Sequence, residues 1–135
     1  MLKIPMLSFN QILKRHAEIT KRAAGDAAEV LAETFLHQQG LSTVARNYHC
    51  RFGEIDLIMQ APDSLVFVEV RMRKSSDFGG ARESISPHKQ KRIIRAAEHY
   101  LSQLPQMPPC RFDAVLLVGL DSKNIEWVRG AFDAN

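Results

Sequence analysis

Two stretches of the chain repeat apolar residues at the spacing of a helix. Residues 24–39 do so every three or four positions, and Gly40 follows, where the end of a helix favours glycine. A second helix is predicted over residues 87–104, with Ser86 as its N-cap and a proline in its first turn. A weaker helical pattern covers residues 8–20, and the spacing leaves open whether it joins the first helix.

Between and after these helices the hydrophobic pattern becomes that of β-strands. Alternation predicts that Ile55, Leu57 and Met59 share one face of a strand and that Asp56 points to the other. The next strand is apolar on both faces through Val70, which is typical of a central strand. Short turns join the first three strands, which predicts an antiparallel meander. The predicted strands are residues 41–49, 53–60, 65–73 and 111–120, with a short edge strand at 124–128.

The element order is therefore α-β-β-β-α-β-β, and residues 74–86, which lack periodicity, are predicted to form a loop. With 135 residues, 45% of them hydrophobic and 24% charged, the chain has the size and composition of one globular α/β domain. We assign residues 1–22 to a helical N-terminal extension and residues 23–135 to the domain itself.

Composition argues against several classes of protein. No apolar run approaches the roughly 20 residues of a membrane span, and the N-terminal segment makes a poor signal peptide. We therefore expect a cytoplasmic protein without a membrane partner. Cys50 and Cys110 are far apart, which argues against a disulfide framework and against a cysteine-based zinc site.

Charge is segregated along the chain, although the net charge is only +3. Residues 1–22 carry five basic side chains and one acidic one, and residues 23–70 carry two basic and seven acidic ones. Residues 71–95 then carry eight basic and two acidic side chains. This distribution suits a polyanion held against a metal-binding pocket, and it suits a solvated charged face equally well.

Two carboxylates lie in strands that are otherwise apolar. Asp56 and Glu69 come close together if their strands are antiparallel neighbours, and Arg71 shares the face of Glu69 because side chains alternate. Buried carboxylates are costly unless they are paired or bind a cation, and oxygen ligands favour Mg²⁺ or Mn²⁺ over zinc. The trio predicts a hard-cation site beside a fixed positive charge. The alternative is ordinary ion pairing of Glu69 with Arg71, Arg46 or Arg51.

Glu29, on the first helix, is a further candidate for this site. It lies at the edge of the apolar stripe, one turn after Gly25, whose missing side chain would let the helix approach backbone or ligand closely. A solvent-exposed acid, with Glu33 as its acidic neighbour at i+4, is an equally good interpretation of the sequence.

These residues fall in motifs that resemble a known family. The runs GDAAEVLAETFLHQQG, GEIDLIM, FVEVRMRKSSDFGGA and RFDAVLLVG, together with Asn47 and Lys89, follow the order of the YraN-type family. Its members are small bacterial proteins described as candidate endonucleases, similar to archaeal Holliday junction resolvases of the PD-(D/E)xK nuclease superfamily. The resemblance covers the chain from about Gly25 onward, and GEIDLI followed by FVEV is its most specific part.

The resemblance implies a restriction-endonuclease-like αβββαβ core, with a central mixed sheet flanked by helices and a phosphodiesterase site on the second and third strands. Asp56 and Glu69 match the acids of the motif, Arg71 matches its lysine, and Glu29 matches the helix-borne acid of the resolvase-like branch. The implied ligands of one or two Mg²⁺ or Mn²⁺ ions are Asp56, Glu69, Glu29 and the backbone carbonyl of Val70. The implied substrate is DNA, with branched or junction DNA as one candidate. A homodimer is also implied, although no apolar stripe in the sequence identifies its interface.

Arg71 departs from the superfamily motif, which has lysine at this position. Arginine stays charged, so it can hold the scissile phosphate but cannot act as a base, a role that Lys74 or Lys89 could fill in part. The alternative functions are a nucleic-acid-binding module with little or no catalysis, and a small structural protein with an incidental ion pair. Basic residues are predicted to contact neighbouring phosphates without reading sequence. They are Arg73, Lys74, Arg82, Lys89, Lys91, Arg92 and Arg95.

Overall fold

The computed structural model describes residues 6–73 and 85–134. Within these ranges, helices and strands follow the predicted order. They are α1 (Phe9–Gln38), β1 (Ser42–Cys50), β2 (Gly53–Gln60), β3 (Leu65–Arg73), α2 (Pro87–Leu101), β4 (Cys110–Val118) and β5 (Ile125–Phe132). Most of the predicted loop, with Lys74 and Arg82 among the predicted phosphate contacts, lies outside the described residues.

The strands form one mixed sheet in the order β1-β2-β3-β4-β5. β1, β2 and β3 are antiparallel neighbours, which confirms the predicted meander. β4 runs parallel to β3, and α2 lies in the long crossover that a parallel pair requires. β5 is antiparallel to β4 at the far edge. The described residues therefore form the expected αβββαβ core, followed by one additional strand.

Each helix covers one face of the sheet. Ala28 and Leu36 of α1 share a buried cluster with Val68 of β3, and Ile93 of α2 shares a second cluster with Phe67 of the same strand. Because β3 buries successive residues on opposite faces, it is the central strand that its apolar run predicts. In the part of the chain that the structure describes, neither helix is long and apolar enough to cross a bilayer.

α1 joins the two helical patterns of the sequence. It begins after Ser8, whose hydroxyl accepts the backbone N–H of Gln11, while the Gln11 side chain accepts the N–H of Ser8 in return. The helix then continues without a break to Gln38. Gly40, at φ +94°, ends it with a backbone conformation that favours glycine.

The predicted end of α2 is three residues too late. The α-helix ends at Leu101, and the N–H groups of Gln103 and Leu104 bond to carbonyls only three residues earlier. This tighter turn precedes Pro105, which disfavours helical geometry in the residue before it.

The edge strand β5 extends to Phe132, four residues beyond its predicted end. The second half of β5 is held in place by Asp113, which is fully buried in β4. One carboxylate oxygen of Asp113 accepts the N–H of Gly130 at 3.0 Å, and the other accepts the indole N–H of Trp127 at 3.0 Å. The Asp113 carboxylate, which the sequence pattern does not predict, thus holds β5 where the register of its pairing with β4 shifts between Phe112 and Ala114.

Candidate active site

The backbone ladder between β2 and β3 stops one residue short of Asp56. Its last pair joins Leu57 to Val68. Beyond this pair, the N–H of Val70 donates to the Oδ2 atom of Asp56 at 2.9 Å. A side-chain carboxylate is therefore the acceptor for this backbone amide, and the hydrogen bond fixes Asp56 beside the segment of β3 that carries Glu69.

The same break changes the direction of the side chains along β2. Leu57 and Met59 pack with α1, but Ile55 lies in the opposite cluster with Ile93 of α2. The prediction that Ile55, Leu57 and Met59 share one face is therefore wrong. Alternation persists only along a regular ladder, and β2 loses its ladder to β3 at Asp56.

Glu69 is the most buried of the candidate acids, with 4% of its surface exposed. Its partner is Lys89 of α2, whose Nζ atom lies 3.2 Å from Oε1. Burial and then the negative charge of Asp56 raise the pKa of Glu69 to about 7, and Lys89 opposes this rise. Burial also raises the pKa of Asp56, against the hydrogen bond from Val70. Two neighbouring carboxylates that repel each other would be relieved by a divalent cation.

α1 brings Glu29 to the same place. Its side chain is half-buried rather than solvent-exposed. Burial, followed by the charges of Asp56 and Asp26, raises the pKa of Glu29 to about 7, and a hydrogen bond with the side chain of Asn47 opposes the rise. Asn47 lies in β1 at φ +49°, in the left-handed region that asparagine tolerates better than most residues.

Glu33, one turn after Glu29, ties α1 to β1. Its buried carboxylate accepts Arg46 Nε at 2.9 Å and the hydroxyl of Thr43 at 2.5 Å. Burial works to raise the pKa of Glu33, but these two hydrogen bonds outweigh burial and lower it. Arg46 is therefore occupied by Glu33 rather than by Glu69, and Arg51 lies over a neighbouring aromatic ring.

The three acids Glu29, Asp56 and Glu69 line one open cleft of about 610 Å³. Arg71 lines it as well, and among residues 6–73 and 85–134 no ion pair involves its guanidinium. The expected alternatives in which Glu69 pairs with an arginine are therefore not realised in this part of the chain. The cleft is completed by Lys21, Ala24, Gly25, Ala28, Glu54, Val70, Met72 and Lys89.

Gly25 does not bring the helix close to the sheet, so the predicted approach to backbone is wrong, whereas the approach to a ligand stays a prediction. A Cβ atom added to Gly25 would meet nothing within 4 Å apart from its own helix and chain neighbours. The wall of the cleft is open at this point because α1 packs on the sheet only from Ala28 onward.

The donor set of the cleft fits a hard cation better than zinc, because it consists of carboxylate oxygens. Within the described ranges, no three acidic, histidine or cysteine side chains are grouped so that together they could hold a metal ion. The protein can thus offer Asp56 and Glu69, supplemented by Glu29 or by the carbonyl of Val70. Mg²⁺ retains several waters and commonly uses only one or two carboxylates from the protein.

Those predicted phosphate contacts that the structure describes do not form one surface. Lys89 lies in the cleft, whereas Lys91, Arg92 and Arg95 are exposed on α2 and line a separate groove with residues 133–134. Arg73 pairs with Glu126 of β5 at 3.0 Å. Of the predicted set, the described residues therefore bring only Lys89 to the acids.

The sequence analysis gave no role to two residues of the site. Asn47 contacts Glu29, and Lys21 lines the cleft one turn before Gly25. Lys21 could have been found from its spacing, since Lys21, Gly25 and Glu29 recur every four residues along α1. Nothing in the sequence pattern marks the positive φ of Asn47 within a strand.

The residues that form the cleft lie mostly in the part of the chain that is similar to known proteins. The model of a family described as "Uncharacterised protein family UPF0102" matches residues 28–117. A UPF0102 protein of Nitrosospira multiformis is 56% identical over 117 residues, covering 87% of this chain and 98% of that protein. A UPF0102 protein of Nitrosomonas europaea is 57% identical over 109 residues, covering 81% of this chain and 92% of that protein. A UPF0102 protein of Cupriavidus taiwanensis is 51% identical over 123 residues, covering 90% of this chain and 92% of that protein.

Proposed function

Because this chain belongs to the uncharacterised protein family UPF0102, whose name carries no activity, we propose its function from the chemistry of the cleft: metal-dependent hydrolysis of phosphodiester bonds in DNA. The observation that carries the proposal is the convergence of Glu29, Asp56 and Glu69 beside Lys89 and Arg71. Acids that bind a hard cation, next to cationic side chains that bind a phosphate, are the groups that phosphodiester hydrolysis requires. The resemblance of the motifs to PD-(D/E)xK nucleases supports the same reaction.

The acids would hold one or two Mg²⁺ or Mn²⁺ ions. Asp56 and Glu69 would be the principal ligands, with the carbonyl of Val70 next to them and Glu29 joining directly or through water. When bound, the ion supplies an activated water nucleophile and neutralises charge that develops on the phosphate. The raised pKa values of Glu29 and Glu69 support this assignment, since a nearby cation would remove the repulsion that contributes to them.

Arg71 and Lys89, two of the cations that line the cleft, would have different tasks. Arg71 stays charged at any physiological pH and would hold the scissile phosphate through its fork of N–H donors. The Nζ atom of Lys89 lies 3.2 Å from Oε1 of Glu69. Lys89 would thus supply, from the helix, the ammonium group that the superfamily motif places beside this acid. It would orient the attacking water and stabilise the negative charge of the transition state.

DNA is the proposed substrate because Lys21, Arg71 and Lys89 line the cleft beside its acids, and because the motifs resemble those of nucleases that act on DNA. Lys21 at the mouth of the cleft would contact a flanking phosphate. Contacts of this type fix position without reading sequence, so recognition would depend on the shape of the DNA.

The alternative function is a nucleic-acid-binding module without catalysis. Two observations favour it: no three-residue metal-binding group lies among the described residues, and position 71 is an arginine. A module of this kind would bind DNA with strong salt dependence and would release it unchanged.

Cleavage of labelled DNA distinguishes the two. Four-way junctions, flaps, duplexes and single strands would be incubated with the protein and Mg²⁺ or Mn²⁺. We expect cleavage that falls by about 100-fold or more in Asp56→Asn and in Glu69→Gln. Asp63→Asn, which changes an exposed acid in the β2–β3 turn, is the matched control and should retain activity.

Cleavage that survives both substitutions would indicate a contaminating nuclease and would overturn the proposal. Binding without cleavage on every substrate would favour the module.

A further inference from the structure

α1 carries an apolar stripe that the described residues leave uncovered. Phe9 is 74% exposed, Ile12 and Leu13 are each 51% exposed, and Ile19 is 68% exposed. Farther along the helix, Val30 is 61% exposed. A capping box starts the helix just before Phe9, so these side chains belong to a regular helix from its first turn. An exposed apolar stripe of this length marks a contact surface.

The stripe faces away from the sheet. Ile12, Ile19 and Val30 are spaced by about two and about three helical turns, and so they lie along one side of α1. Val30 is two residues from both Ala28 and Ala32, which are buried on the sheet, and two residues rotate a helix by about 200°. The line through Ile12, Ile19 and Val30 and the core side of α1 are therefore opposite faces of the same helix, and the core cannot cover both.

We propose that a second copy of this chain covers the stripe, with the two α1 helices packed antiparallel about a two-fold axis. In such a contact each copy offers the same surface to the other. This inference goes beyond the proposed function and does not depend on cleavage.

Charge complementarity selects both the partner and the orientation. Residues 9–22 carry four basic side chains and one acidic one, whereas residues 23–38 carry three acidic side chains and no lysine or arginine. An antiparallel pair sets the basic half of one helix against the acidic half of the other. A parallel pair would set like charges together.

One specific ion pair is expected at the edge of this contact. Arg15 and Asp26 are exposed and about three turns apart, so both flank the stripe on the same side of α1. Antiparallel pairing centred near Thr20 brings Arg15 of one copy to Asp26 of the partner, twice by symmetry. The same register sets Phe9 opposite Val30 of the partner.

The contact would leave the cleft open. The residues of α1 that line the cleft, Lys21, Gly25 and Glu29, recur every four positions on the side away from the stripe. The large residues of the stripe between Phe9 and Ile19 lie outside residues 28–117, which match the family model. The dimer is therefore proposed for this chain and not for the whole family.

Sedimentation of the full chain from about 1 to about 100 µM tests the proposal. We expect a monomer–dimer equilibrium in the wild type and at least about 100-fold weaker association in the double variant Ile12→Glu/Ile19→Glu. Both residues are exposed, so the fold should tolerate the change. The matched control, Asn10→Glu/Ala17→Glu, adds the same charge outside the stripe and should dimerise.

The orientation is tested by exchanging charges. Arg15→Asp and Asp26→Arg should each weaken the dimer by about threefold to tenfold, and the two together should restore it in part. Failure of this rescue would overturn the antiparallel arrangement. A wild type that stays monomeric at about 100 µM would overturn the dimer, as would stripe variants that dimerise normally. A monomer that sediments with phosphatidylglycerol vesicles would identify lipid as the occupant instead.

Discussion

Lys89 of α2 and Glu69 of β3 meet in the cleft, with Nζ 3.2 Å from Oε1. The lysine side chain is 38% exposed, whereas the glutamate side chain is 5% exposed. The ammonium group can therefore reach a substrate while it neutralises a buried carboxylate. Among the residues that the structure describes, the cation nearest to the buried acid therefore comes from the following helix and not from Arg71 on the strand itself.

Lys89→Met should abolish most of the cleavage activity. The substitution keeps the length of the side chain but removes the charge, so Glu69 loses its partner and the phosphate loses a cation. We expect the rate to fall by about 100-fold or more in single-turnover assays. Lys91→Met, two residues away on the exposed side of α2, should change the rate by less than about threefold. Equal effects of the two substitutions would contradict the role given to Lys89.

Without a metal ion, the protein should become less stable as the pH rises. The pKa values of Glu29 and Glu69 are raised to about 7 in the folded protein, above the ordinary value of 4.5. Between these values the folded state binds more protons than the unfolded state, so the free energy of unfolding falls with increasing pH. The stabilisation is fully present below about pH 4.5 and is lost as the pH passes about 7.

Thermal unfolding in EDTA between about pH 5 and about pH 8 checks this prediction. The melting temperature should fall across the range, and the fall should be smaller in Glu29→Gln/Glu69→Gln. The lowered pKa of Glu33 acts in the opposite direction, but only below its ordinary value of 4.5 and thus outside this range. Added Mg²⁺ should raise the melting temperature most at the high end of this pH range. Parallel pH curves for wild type and variant would show that these acids are not perturbed.

Substitutions at Asn47 should distinguish the effect of its backbone conformation from the effect of its side-chain amide. Asn47→Ala forces alanine into a left-handed conformation and should destabilise the fold by about 1 kcal/mol. Asn47→Gly accepts this conformation and should be closer to the wild type in stability. Both variants lose the hydrogen bond to Glu29, so both should bind Mn²⁺ more weakly in calorimetric titrations. If only the alanine variant binds Mn²⁺ more weakly, the side-chain amide does not serve the site.

Glu33→Ala should destabilise the protein by about 2 kcal/mol, because Arg46 and Thr43 lose a buried acceptor. The substitution would also loosen the attachment of α1 to β1 at a point one helical turn away from Glu29. The rate of DNA cleavage should therefore fall as well. Glu18→Ala removes an exposed acid from the same helix and should change the stability by less than about 0.5 kcal/mol. Urea unfolding of the two variants measures the difference.

Elements with a strong local pattern were predictable from the sequence. β2 and β3 have the predicted bounds because a glycine, a turn and alternating or continuous apolar residues delimit them locally. The closeness of Asp56 and Glu69 also follows from local information, since a short turn makes their strands antiparallel neighbours.

What depends on contacts between distant elements was not predictable. Helical spacing identifies the apolar residues of the first part of α1, but it cannot tell that they face away from the core. The sequence pattern alone therefore did not single out this stripe as a contact surface. The reach of Lys89 to Glu69 depends on how α2 crosses the sheet. The break in alternation at Asp56 depends on a hydrogen bond to Val70 across the strands.

The most direct test of the proposed function is anomalous diffraction from crystals soaked in Mn²⁺. We predict an anomalous peak between the carboxylates of Asp56 and Glu69 in the wild type, and its loss in Asp56→Asn crystals of the same form. Wild-type crystals without a peak at these carboxylates, or a peak that persists unchanged in Asp56→Asn, would contradict the assignment of a catalytic metal site to this cleft.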